Sequence, residues 1–520
     1  INGITDWVYE EEFAFVRAFD WSKDSKKLAY IRFDESQVPE FSMSMFHKDL
    51  YPSIETFKYP KAGEKNSEVS LHVYDVAGNA AKKVDLGKYN DFYIARLQWT
   101  NDNNILSAQV LNRHQDNLDL LFVDGNTAAA KVVLNEKDKA YVDVTDNLTF
   151  LKDNSFIWTS EKDGFNHIYL YDKTGKIKNQ LTKGNWEVTS YYGFDEKNKT
   201  VFFQSTENGS INRDIYSIVL DGKNKVRLSK NTGTNSATFS PNFQFFINTF
   251  SSASQPTTYT LNEAKTGRQI QVIEDNEALS DKLKAYNLPT KEFFVLKTAK
   301  GNELNAWILK PKDFDPSKKY PVFMYQYSGP GSQQVNNDWN GTDDYWFLSL
   351  TQQGYIVACV DGRGTGFKGA DFKKVTQKEL GKYEVEDQID AAKVIGAYPY
   401  VDASRIGIFG WSYGGFMASN CIFQGNDVFK MAIAVAPVTN WRFYDSVYTE
   451  RYMQTPQENA SGYDQNSPIN HVDKLKGKFL LIHGAGDDNV HVQNSMQMIE
   501  AVIQSNKQFD SHIYPDKNHG

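Results

Sequence analysis

The chain has 520 residues, 57 basic and 65 acidic side chains, a net charge of −8, and 40% hydrophobic against 23% charged positions. That balance is the composition of a folded protein, and at roughly 150 residues per domain the length fits two to four domains. No long basic run offers itself to a nucleic acid, no apolar run is long enough to span a membrane, and two cysteines exclude a disulfide scaffold.

The chain opens on Ile1 rather than Met, with no signal-like segment after it, and is read as a processed or truncated piece of a longer protein. Close behind comes Asp6-Trp7-Val8-Tyr9-Glu10-Glu11-Glu12. By residue type alone, Glu10–Glu12 is a solvated acidic run or a helix start.

From there to about residue 275 the pattern is short strand-like runs and polar turns. An apolar residue, then Asp, then a nearby Gly recurs at Asp75, Asp124, Asp172 and Asp221, which lie 49, 48 and 49 residues apart, with a degenerate copy at Asn262. A second marker, an aromatic strand with a polar turn and another strand, stands at Phe19-Asp20-Trp21, Leu97-Gln98-Trp99 and Phe239-Ser240-Pro241. A period of roughly 40–50 residues with about four strands is the mark of propeller blades, because one blade cannot cover its own faces and must stack on neighbours. One or two β-sandwiches are the alternative, and the constant spacing favours blades.

Near residue 285 the pattern changes. Lys291–Lys300 and Leu304–Lys310 read as a hairpin. Strands at 321–327, 354–360, 406–409, 431–436, 479–483 and 512–514 then alternate with helices at 385–398 and from about Tyr413. Runs such as Ile356-Val357-Ala358-Cys359-Val360 suit strands covered on both faces. The expected architecture is a β-propeller domain over 1–280 and an α/β-hydrolase domain over 285–520. Cys359 and Cys421 read as buried small hydrophobes.

Gly410-Trp411-Ser412-Tyr413-Gly414 follows one strand and precedes a helix, the context that a nucleophile elbow requires. A serine nucleophile needs a base and an orienting acid, in the order Ser, Asp, His. Of the histidines after Ser412, His483 and His512 fall in strands and read as structural. His519 lies in the loop after the last strand, where the base belongs. Asp487 and Asp488 both follow the strand that ends at His483, and spacing alone allows either. The Tyr413 N–H is one oxyanion donor by the geometry of the elbow. No HGGG-type run follows the strand at 321–327, so the Tyr327 hydroxyl is the natural second donor. No metal-ligand spacing is present, and neither a metal nor a cofactor is expected.

With these residues in place, the chain resembles the prolyl oligopeptidase family of serine peptidases, and within it the members that remove dipeptides. The likeness rests on Asp361-Gly362-Arg363-Gly364, the elbow, Tyr444 through Tyr452, His483-Gly484 through His491, and the Asp6–Glu12 run. It selects Asp487 over Asp488 and supports Tyr327. It implies that Glu11 and Glu12 bind a free α-amino group, chemistry that suits two carboxylates facing an ammonium with three donors. It also implies a pocket for the penultimate residue lined by Tyr413, Val438, Trp441, Tyr444, Tyr448 and Val490, with Asn489 holding the P2 carbonyl. Without the likeness, Trp441, Tyr444 and Tyr448 at helical spacing would read as core.

The chain departs from the family pattern in showing about five of eight blades, in lacking the upstream arginine that assists Asn489, and in ending before the helix used for dimerisation. The missing cysteine pairs point to a bacterial relative. The resulting expectation is an exopeptidase that releases Xaa-Pro or Xaa-Ala dipeptides through an acyl-enzyme. Its partners would be peptides with free N-termini. The full-length protein would be a homodimer, periplasmic or secreted. Tripeptidyl and acylaminoacyl peptidases, a carboxylesterase and a non-catalytic propeller module are the alternatives.

Overall fold

The computed structural model describes residues 1–520. Five four-stranded antiparallel sheets follow one another between Phe19 and Glu274, each a propeller blade. The recurring Asp turns join the third and fourth strands of the blades. Asp75, Asp124, Asp172 and Asp221 each accept a backbone N–H two or three residues on, at 2.6–2.9 Å. A short side chain that bonds its own turn explains why Asp recurs there. The aromatic marker sits at the turn between first and second strands, as at Trp99 between Phe92–Trp99 and Ile105–Asn112.

The first blade departs from the repeat. Between its second strand, Lys27–Asp34, and its third, Glu68–Asp75, the chain leaves the sheet as a separate hairpin of Glu40–Met45 and Ser53–Lys58. The interval from Trp21 to Asp75 is about twice that from Trp99 to Asp124, and this hairpin fills the difference.

A helix, Glu277–Tyr286, leads from the last blade strand to an eight-stranded sheet that begins at Glu292. Its spatial order is 292–297, 303–309, 356–361, 320–325, 401–411, 431–435, 478–484, 510–514. The first two strands form the expected hairpin; 303–309 runs antiparallel to both its neighbours, and the six strands from 356–361 onward are mutually parallel. Helices Tyr383–Gly396 and Tyr413–Gln424 pack on the sheet, which is the α/β-hydrolase arrangement.

The two cores interlock. Val447, on the hydrolase helix Ser446–Met453, is buried within the apolar core of the first blades, and Ala62, Ala140 and Tyr141 of the propeller belong to the hydrolase core. A buried clamp reinforces the junction. Arg113 donates from Nε and Nη2 to the two oxygens of Glu450 at 2.6 and 2.7 Å, and the Gly63 N–H donates to the same carboxylate at 2.7 Å. Glu450 is fully buried, so the fork of the guanidinium meets it without competing water.

Candidate active site

The strand Val401–Trp411 ends where the helix Tyr413–Gln424 begins, and Ser412 between them has φ +59° and ψ −117°. A non-glycine residue held at positive φ marks a turn imposed by its surroundings. The flanking glycines make that turn possible. A Cβ on Gly410 would lie 2.3 Å from the Gly414 carbonyl oxygen, and one on Gly414 would lie 2.6 Å from that of Gln326. The Tyr413 N–H opens the helix and has no intrahelical acceptor, as an oxyanion donor requires.

His519 Nδ1 bonds the Asp487 carboxylate at 2.7 Å. With Nδ1 engaged, Nε2 is the nitrogen free to take a proton. Asp487 is fully buried, whereas Asp488 is exposed. Its other oxygen accepts the N–H groups of Asn489 and Val490 at 3.0 and 2.9 Å. Burial alone would raise this carboxyl, but hydrogen bonds from His483 and His519 outweigh it and hold Asp487 below the usual carboxylate range.

The part of His483 was not visible in the sequence. It lies in a strand, as expected, yet its Nε2 reaches the same Asp487 oxygen at 3.1 Å and the Val490 carbonyl at 2.7 Å, while Ser495 bonds its Nδ1 at 2.6 Å. Asp487 therefore carries two imidazoles, His483 fully buried and His519 partly exposed with Nε2 unengaged.

Tyr327 stands over the elbow with its ring 6.1 Å from that of Tyr413. Burial pushes its phenol above the ordinary value, with the adjacent Ser412 hydroxyl working in the opposite direction. It is thus a neutral O–H donor at physiological pH.

The expected pocket residues come together, though not on one helix as their spacing suggested. Trp441 is in a short 3₁₀ turn, Tyr444 follows it in extended backbone, and Tyr448 belongs to the helix Ser446–Met453. Asp445 breaks the run by capping that helix, accepting the Tyr448 N–H at 2.9 Å. Trp441 and Tyr448 stack at 5.7 Å and 21°, and Tyr444 meets Tyr448 edge-on at 5.3 Å. Tyr413 packs on Trp441 at 5.5 Å, and Val438 and Val490 are buried beside them. The Tyr413 hydroxyl runs inward and donates to the buried Glu384 at 2.6 Å.

The acidic run does form a helix, Trp7–Glu12, capped by Asp6. Val8 and Tyr9 face the core, and Tyr9 accepts the Ile94 N–H at 3.0 Å, so Glu10 and Glu11 are turned outward. Glu11 receives the Asn489 Nδ2 at 2.6 Å, and the Asn489 Oδ1 receives the Tyr444 hydroxyl at 2.7 Å. Glu12 is half-buried. Burial raises its carboxyl to about 7, with Arg451 opposing and Glu11 reinforcing the shift. Arg451 is the guanidinium that stands near this pair, its Nη2 at 3.4 Å from the Glu12 carbonyl, and sequence reasoning gave it no part.

Comparison with known proteins gives a consistent picture. Residues 1–257 match the model of the dipeptidyl peptidase IV N-terminal region, and residues 342–520 match that of the prolyl oligopeptidase family. A crystal structure of Porphyromonas gingivalis dipeptidyl peptidase 4 is 50% identical, with a TM-score of 0.97 over 100% of this chain and 73% of that one. A putative dipeptidyl aminopeptidase IV from Bacteroides ovatus is 29% identical, with a TM-score of 0.91 over 100% of this chain and 76% of that one. Among curated proteins, a probable dipeptidyl-aminopeptidase B of Phaeosphaeria nodorum is 36% identical over 99% of this chain and 60% of its own length. The chain thus spans about three fifths of the curated relatives that it matches.

Proposed function

The chain belongs to the prolyl oligopeptidase family of serine peptidases, in its dipeptidyl peptidase IV branch, and from that premise we propose that it releases N-terminal dipeptides whose second residue is Pro or Ala. The observation that carries this reading is the bond from Asn489 to Glu11. It brings the carboxylate pair of the propeller directly against the loop that holds Asp487.

In this reading the substrate ammonium replaces the Asn489 amide on Glu11 and pairs with Glu12, and the freed amide takes the P2 carbonyl. The proline ring enters the box of Tyr413, Val438, Trp441, Tyr444, Tyr448 and Val490. Ser412 attacks the next carbonyl while His519 Nε2 accepts its proton, and Asp487 stabilises the imidazolium. The Tyr413 N–H and Tyr327 O–H take the oxyanion. His519 then protonates the leaving amine, and water attacks the acyl-enzyme along the reverse path. The family likeness also supports a homodimeric full-length protein in a periplasmic or secreted setting.

Hydrolysis of Gly-Pro, acetyl-Gly-Pro and Ala-Ala-Pro chromogenic substrates tests the reading. Turnover confined to Gly-Pro is expected. Preference for the blocked or the tripeptide compound would overturn it.

A further inference from the structure

The hairpin that leaves the first blade does not end in solvent. The main-chain N–H groups of Phe46 and His47, at its turn, donate to Oδ1 and Oδ2 of Asp516 at 2.6 and 2.7 Å. Asp516 lies 470 residues away from Phe46 and three residues before His519. Both carboxylate oxygens go to the hairpin. Asp516 bonds no N–H of its own loop, so it is not an ordinary turn aspartate.

Further contacts extend the embrace. The Met45 side chain lies so close to Gly486 that a Cβ there would be 3.0 Å from its terminal carbon. Phe41 stacks on the ring of His491 at 3.4 Å and 3°. The hairpin thus lies against both loops that carry the acid and the base.

Between Tyr514 and Lys517 the inner side of this loop is held by main-chain bonds. Gly486 N–H donates to Lys517 at 2.9 Å and Ala485 N–H to Tyr514 at 2.8 Å, and a Cβ on Gly484 would lie 2.3 Å from the Lys517 carbonyl oxygen. The outer side is exposed at Lys517 and Asn518 and has Asp516 as its tether.

We propose that the hairpin of the first blade is a positioning element for His519, acting through Asp516 as a positioning residue, so that the propeller completes the geometry of the hydrolase. Two N–H donors on one carboxylate fix both the direction and the height of the loop. A base displaced by about 1 Å can lose about 100-fold in rate while the substrate-binding groups stay intact. The signature is therefore a loss in kcat with KM held. This inference rests on the triad assigned above.

The test uses the full chain. Asp516 has φ +57°, a conformation that Asn and Gly tolerate, so neither D516N nor D516G adds backbone strain. Asn keeps one acceptor and Gly keeps none. On a Gly-Pro chromogenic substrate, kcat is expected to fall about fivefold in D516N and about twentyfold in D516G, with KM within about twofold. Replacing Phe46–Pro52 by a two-residue turn, which deletes both donor residues between the paired Met45 and Ser53, should lower kcat by about as much as D516G, and the combination should lose no more than either. Unchanged kcat in D516G, a rise in KM with kcat held, or additive losses would each overturn the proposal. Should D516G not fold, D516N and the shortened hairpin decide on the same criteria. If the unmodified protein does not turn over Gly-Pro, it is the proposed function that fails. The rate of Ser412 phosphonylation by a fluorophosphonate, which also needs the base, then decides the positioning claim with the same variants.

Discussion

Trp411 donates its indole N–H to the backbone carbonyl of His519 at 2.9 Å, so the residue before the proposed nucleophile steadies the main chain of the proposed base. The contact spans the elbow and the last loop, the two segments that must stay in register for a proton to pass. Trp411→Phe keeps the ring and removes the donor. Because the contact is solvent-exposed, a net loss of about 1 kcal/mol is expected, read as a fall in kcat of about fivefold without a change in KM. An unaltered kcat would show that the loop holds its place without this bond.

In the proposed function, Glu12 gives the substrate site a pH dependence. Its carboxyl is lifted by burial to about 7, with Arg451 opposing, so in the free protein it holds a proton as pH drops below that value. An ammonium bound there as proposed would have to expel that proton. For a substrate with a free N-terminus, kcat/KM should therefore decline from pH 8 to pH 6. Glu12→Gln should lower the plateau by about 30-fold, the worth of a charged hydrogen bond, and flatten the part of the decline that Glu12 supplies. An equally steep profile in the variant would assign the decline elsewhere.

Glu384 titrates where no charge partner offsets it. Burial raises its carboxyl to about 7, although Tyr413 and Gly381 donate to it. The folded protein then retains a proton that the unfolded chain has released above its ordinary value, so stability falls as pH rises through that interval. Glu384→Gln should be more stable than the parent at pH 8 by on the order of 1–3 kcal/mol, and the two should converge near pH 5. Denaturant unfolding at both values measures this; a constant gap would contradict it.

Gly414 admits no side chain. A Cβ would lie 2.6 Å from the Gln326 carbonyl and 3.3 Å from the Tyr327 Cα, driving the elbow and the Tyr327 loop apart. Gly414→Ala should cost about 1–3 kcal/mol and abolish Ser412 labelling by fluorophosphonates in protein that still folds. Normal labelling would show that the loop yields at no cost to the oxyanion site.

Arg113 and Glu450 hold the domains together from opposite sides. Arg113→Ala leaves a fully buried carboxylate without its cation and should destabilise by about 3–5 kcal/mol. Arg113→Lys should recover little, since an ammonium cannot reproduce the two parallel bonds. A lysine variant with the parent melting temperature would argue that charge alone matters.

Where the chemistry depends on residue type, the sequence was readable. The elbow around Ser412 needs glycines and a strand–helix context, the blade turns need an Asp, and the base must follow the last strand. The hydrogen bond of His519 to Asp487 and the exposure of Asp488 agree with the choice between the two acids. The clasp on Asp516 left no comparable trace, because Phe46 and His47 contribute only main-chain N–H groups, which every residue but proline carries. His483 was read as structural because a strand histidine is ordinary. Only the three-dimensional path of the 484–487 loop shows that its Nε2 reaches Asp487. Arg113 and Arg451 are equally silent in a single sequence, since their partners lie more than 300 positions away.

The bond between Glu11 and Asn489 has one more consequence. The two residues are the jaws of a caliper, and each jaw is mounted on a different domain. One residue of extended peptide measures about 3.5 Å. A shift of that size in the seating of one body on the other would reset the caliper from two residues to three without touching Ser412, Asp487 or His519. In the proposed function, the number of residues counted from a peptide's end is thus a dimension of the joint, to which the clamp at Arg113 belongs.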